Sequence, residues 1–141
     1  MSAPTTTWLV LYDGDCGFCK WLLALLLRRD RAGRLRPIAL QSPAAEDLLS
    51  DLDAEQRLAS WHLISPAGER RSGGAALPTL LELLPGGRPL AAPLARFPRL
   101  ADRGYRWVAG NRVLLSKPVP ARSKRRASAE VRRRELGSAS D

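Results

Sequence analysis

The first patterned stretch of the chain, Trp8-Leu9-Val10-Leu11-Tyr12, is apolar throughout, with no polar alternation. That suits a strand buried on both faces of a parallel or mixed sheet. Asp13-Gly14-Asp15 follows with turn chemistry. Residues 16–29 contain no proline and are rich in Leu and Ala, so they predict a helix. Trp21, Leu22, Leu23, Leu25, Leu26 and Leu27 make that helix apolar around most of its circumference, which predicts burial. Asp15 is placed to cap its start. Arg28 and Arg29 fall in the last turn, where cations favour the dipole, and Gly33 is the expected stop.

The pattern then shortens. Residues 35–40 predict a second strand, with Pro37 arguing for an edge or a bulge. Pro43 opens a predicted helix over about residues 44–51. Residues 61–64 predict a third strand, residues 66–68 a turn, and residues 69–72 a short hairpin partner. Gly73-Gly74 reads as a flexible link. Residues 75–84 predict a helix, with Pro78 tolerated in its first turn. Pro89, Pro93 and Pro98 predict an interrupted loop. Residues 100–115 predict a last amphipathic helix carrying Tyr105, Trp107, Val108 and Leu114. A strand–helix–strand opening implies a right-handed parallel crossover, and the later hairpin adds an antiparallel edge. The expected fold class is α/β: a central mixed sheet of about four strands flanked by helices, with a C-terminal helical extension.

Charge divides the chain further. The formal net charge is +9, and residues 117–141 hold eight basic and three acidic groups of the 23 and 14 in the whole. Residues 1–116 therefore read as one globular domain, and residues 117–141 as a basic tail too polar to pack, expected to be disordered. Arg outnumbers Lys 20 to 3, which with the Ala and Leu richness reads as codon bias more than as selected guanidiniums. The longest apolar run, residues 21–27, is too short to span a bilayer, which takes about 20. The start of the chain lacks the charged region of a secretory signal. The expected location is cytoplasmic.

The two cysteines, Cys16 and Cys19, sit three apart at the predicted start of the first helix. A thiolate there is favoured by free amides and the helix dipole. Cys19, about one turn on, faces the same side. In this scheme Cys16 is the nucleophile and Cys19 the resolving thiol. Gly17 would let a partner's backbone approach, and Phe18 would form part of an exposed docking surface. The plainer alternatives are an inert pair or half of a metal site. A closed zinc site needs four ligands. The chain offers the two cysteines, the lone His62 and a carboxylate such as Asp13 or Asp15, so no metal and no other cofactor is expected. His62, among apolar neighbours, reads as a packing residue.

These residues also carry a resemblance. Leu11-Tyr12-Asp13-Gly14-Asp15-Cys16-Gly17-Phe18-Cys19 resembles the opening motif of the DCC family of thiol–disulfide oxidoreductases, named for an Asp-x-x-Cys-x-x-Cys pattern. Looser similarity continues through Leu40-Gln41-Ser42, Gly68, Ala76 and Tyr105-Arg106-Trp107-Val108-Ala109-Gly110-Asn111-Arg112. The resemblance implies a thioredoxin-like fold and a redox role over about residues 8–116. The expected partners are a protein or small-molecule thiol or disulfide and an electron donor that the sequence does not name. Thioredoxin-like proteins usually carry a proline just before the third strand; here Leu58-Ala59-Ser60 stand there.

Asp13 and Asp15 pose a conflict, because negative charge beside Cys16 opposes its ionisation. Asp15 could turn away to cap the helix. Asp13 could accept a proton from Cys19 as a general base, or serve as a turn residue bonding backbone amides. Two other function classes compete with the redox one. Asp13-Gly14-Asp15 after a strand also resembles the first motif of haloacid-dehalogenase phosphatases, with Asp13 as nucleophile and Asp15 as acid. The basic tail could instead make the chain a binding module, touching nucleic acid or anionic membrane by counterion release.

Overall fold

A computed structural model describes residues 7–31 and 33–139. Four strands form one sheet in the order β2-β1-β3-β4: β1 (Trp8–Tyr12), β2 (Leu35–Ala39), β3 (His62–Ile64) and β4 (Arg70–Ser72). β1 and β2 are parallel, with Trp8 opposite Leu35, while β3 runs antiparallel to both β1 and β4. The mixed sheet and its crossover are those the pattern predicted. Between β1 and β2 lies α1 (Gly17–Arg29).

The helices after β2 depart from the sequence reading in several places. α2 (Pro43–Leu48) is shorter than expected and is capped by the Ser42 side chain, which accepts from Ala45 N–H. α3 (Ala54–Leu58) was not expected; Asp53 and Gln56 form a reciprocal capping box that starts it. Gly73–Ala76 is not a flexible link but a buried 3₁₀ turn. α4 (Leu77–Leu83) has Pro78 in its first turn, as predicted. The expected proline loop is instead α5 (Arg88–Arg96). Its Pro89 sits where amides have no partner anyway, and Pro93 removes one bond further in. The expected helix over residues 100–115 is two: α6 (Pro98–Gly110) and α7 (Arg112–Ser116), broken at Asn111.

The largest correction concerns the tail. Residues 121–139 are not disordered but form α8 (Ala121–Ala139), which packs against α1 and β2. Ala127 and Val131, four apart on its inner side, are buried in the core. Arg134 donates to the buried Asp30 carboxylate at 2.8 Å and to the Leu35 carbonyl at 3.2 Å. Arg28 pairs with Glu130, and Tyr12 O–H donates to Glu135 at 3.0 Å. These long-range bonds, not the segment's own composition, hold it folded.

Both sheet faces are covered. Val10, Tyr12, Leu35 and Leu63 meet α1, α4 and α8 through Leu23, Ala24, Leu27, Leu80 and Val131. Leu11, Ile38 and Ile64 meet α2 and the turn after it through Ala45 and Leu49. β2 is an edge strand, as Pro37 suggested, and each N–H on its outer side is provided for. Trp8 N–H donates to Arg34 C=O and Leu40 N–H to Tyr12 C=O, so in a parallel ladder residues 35, 37 and 39 point outward. Leu35 N–H donates to Asp30, Pro37 has no N–H, and Ala39 N–H donates to Glu135.

Candidate redox site

The loop from β1 to α1 places both cysteines at the carboxyl end of the sheet. The helix cap is Cys16 itself, not Asp15. Its backbone is extended, and its Sγ accepts the Cys19 N–H at 3.3 Å. That hydrogen bond gives the sulfur the role a capping oxygen normally plays, and it favours the anion. Asp15 is exposed, and its carboxylate reaches Gln41 Nε2 at 3.4 Å.

The two thiols are driven apart. The Cys19 side chain, hydrogen-bonding to Cys16, brings the Cys16 thiol from 9.0 down to about 6 against the effect of burial. The Cys19 amide and the Arg112 guanidinium act in the same direction, while Asp13 opposes them. Cys19 moves strongly upward, first because it donates to Cys16 and then because it is more buried. The expected conflict with the acids is thus overcome. Both cysteines are partly exposed free thiols.

Asp13 does local and distant work. Its Oδ1 accepts from Asp15 N–H at 3.0 Å and from Gln41 Nε2 at 2.9 Å. Gln41 Oε1 in turn accepts Gly14 N–H at 2.9 Å, so one side chain braces the loop from both sides. Asp13 Oδ2 lies 3.8 Å from Arg112 Nη1. Gln41 and Arg112 were absent from the sequence-derived site, although both lie in segments that carried the family resemblance.

A cavity of about 550 Å³ opens beside Cys19. Asp13, Ser60, Trp61, Tyr105 and Arg112 border it, and the core residues Val10, Leu23 and Leu80 line it more deeply. The segment before β3 therefore reaches the redox pocket even without a proline. The Tyr105 hydroxyl accepts Trp61 N–H at 3.3 Å, fixing one wall. Phe18 is buried and stacks on Trp21 at 6.0 Å between ring centroids, so it is no exposed docking residue. Gly17 is also not open to a partner, because the stem of Lys124 on α8 crosses it.

His62 lies apart from the cysteines on β3. Nε2 is 3.0 Å from the Arg57 carbonyl, which can only accept, so Nε2 carries the proton. Nδ1 then accepts from the Ser72 hydroxyl at 2.6 Å. Among the described residues, no three His, Cys, Asp or Glu side chains gather as a metal site, and no helix is long and apolar enough to cross a membrane.

A mixed sheet in this order, with a Cys-x-x-Cys pair capping the first helix, defines a thioredoxin-like protein. The model of the DCC1-like thiol-disulfide oxidoreductase family matches residues 10–118, and the chain belongs to that family. No curated protein and no solved structure matches it. Family and sheet together displace the phosphatase reading of Asp13 and Asp15.

Proposed function

We propose that this protein reduces or exchanges disulfides through Cys16 and Cys19, with Cys16 as nucleophile. The observation that carries the reading is the Cys16 sulfur capping α1 and accepting the Cys19 amide. With its pKa at about 6, Cys16 at neutral pH is mainly thiolate. It attacks one sulfur of a substrate disulfide; that S–S bond breaks and one thiol leaves, taking a proton. Cys19 then loses its proton and attacks the Cys16 sulfur of the mixed disulfide. The second substrate thiol leaves, two electrons have passed to the substrate, and Cys16–Cys19 is oxidised. An external dithiol resets the pair.

Asp13 faces the same cavity as Cys19, and its Oδ2 is not used by the loop, which supports a role as acceptor of the Cys19 proton. Arg112 stabilises the thiolate. The absence of further cysteines fits work in a reducing, cytoplasmic compartment.

Iodoacetamide labelling against pH, read by mass spectrometry, tests the assignment. Label on Cys16 with a midpoint near 6, little on Cys19, and a Cys16–Cys19 disulfide after mild oxidation are expected. Cys16→Ser abolishes disulfide reduction, while Cys19→Ser accumulates the mixed disulfide. Equal, slow labelling of both thiols and no internal disulfide would sink the proposal.

A further inference from the structure

α6 has two outward stripes that the redox chemistry does not use. Ala101, Tyr105 and Val108 face inward. Leu100 and Trp107, seven residues apart and so on one face, are exposed at 59% and 62%. Beside them Arg99, Arg103 and Arg106 form an adjoining exposed row at three- and four-residue spacing. Phe97, at the joint with α5, is exposed at 51% and lies under the Arg96 guanidinium.

Exposed apolar side chains grouped on one face, as Phe97, Leu100 and Trp107 are, mark an interaction surface. Here the charge chooses among partners. Residues 96–112 hold five arginines and one aspartate, Asp102, which pairs with Arg106. A second copy meeting this face by symmetry would set arginine against arginine. A nucleic acid could stack a base on Trp107 but would leave the neighbouring Leu100 in water. Trp, Phe and Leu next to an arginine row on one amphipathic helix match an anionic bilayer surface, where apolar side chains enter the headgroup boundary and guanidiniums meet phosphates.

We propose that α6 is a peripheral docking surface for anionic phospholipid membranes, held by Leu100, Trp107 and Phe97 with Arg99, Arg103 and Arg106 against the headgroups.

The test is co-sedimentation of the full chain with phosphatidylglycerol vesicles and with phosphatidylcholine vesicles at about 0.15 M salt. Binding to the anionic vesicles only is expected, weakening as salt rises. The double variant L100S/W107S, altered only at exposed positions outside the cavity, should bind about tenfold or more weakly while reducing a soluble disulfide at the normal rate. R99Q/R103Q should weaken binding and flatten its salt dependence. The tail variant R122Q/R125Q/R126Q, on α8, should keep most of the binding. Trp107 fluorescence, taken as the difference from W107F, should shift to the blue on vesicles. No vesicle binding, equal binding by L100S/W107S, or loss of binding through the tail variant alone would each overturn the proposal. So would concentration-dependent self-association that depends on Leu100 and Trp107 in the absence of lipid binding.

Discussion

At the scale of single residues, the site is a balance of charges around one sulfur. Arg112→Ala removes a cation that favours the Cys16 thiolate, so the labelling midpoint should rise above about 6. Asp13→Asn removes an opposing charge and should lower it. If Asp13 also accepts the Cys19 proton, the same variant slows resolution of the mixed disulfide; an unchanged pH dependence of that step would show that Asp13 only braces the loop. His62 is a second titrating residue with a different consequence. Burial lowers its pKa below 6.5. The unfolded chain then binds the proton more readily, so the stability His62 contributes is present above pH 6.5 and is lost as pH falls through the lower folded value. In urea titrations, the gap between wild type and His62→Gln should narrow on acidification. The cysteines and Asp13 were legible in sequence because they are contiguous and their spacing has a chemical meaning. The cap was misassigned to Asp15 because a cysteine is an unusual capping residue. Gln41 and Arg112 reach the loop from distant segments, and no local pattern announces such a meeting.

At the scale of elements, α8 ties the edge of the sheet to α1. Its Arg134 faces Asp30, whose side chain is 1% exposed. Arg134→Met leaves that carboxylate buried without its cation, and should cost on the order of 3 kcal/mol in a urea midpoint experiment. A Cβ at Gly74 would lie 2.5 Å from the Asp102 Cα. Gly74→Ala should therefore push α6 off the 3₁₀ turn and destabilise by about 1–3 kcal/mol. It should also disturb the cavity wall, so substrate reduction falls along with the melting temperature. The strands and α1 were readable because their apolar runs are long or bounded by clear turns. α3 was signalled by Asp53 and Gln56 but is too short to show a period. α5 was hidden by prolines that sit where a helix tolerates them. α8 was hidden because its buried apolar anchors among the described side chains are just Ala127 and Val131, and the bonds from Glu130, Arg134 and Glu135 are invisible to composition.

At the scale of the whole molecule, the family match stops at residue 118, while the core runs on through Ala127 and Val131. A chain ended at residue 118 should retain the cysteine loop but melt well below the 141-residue chain, since it loses the buried Ala127 and Val131 and the Asp30 pair. Calorimetry of the two lengths checks this. The outer side of β2 gives that cut a second effect. In the full chain Glu135 and Arg134 occupy the amide of Ala39 and the carbonyl of Leu35. A client peptide therefore has no strand to extend on that side. Once α8 is clipped away, that amide and that carbonyl lose their partners, and Pro37 is left as the main guard of the edge against strands from neighbouring molecules. Proteolytic trimming in the 117–120 linker should then show itself as a raised tendency to aggregate, read by light scattering before any loss of the cysteine chemistry.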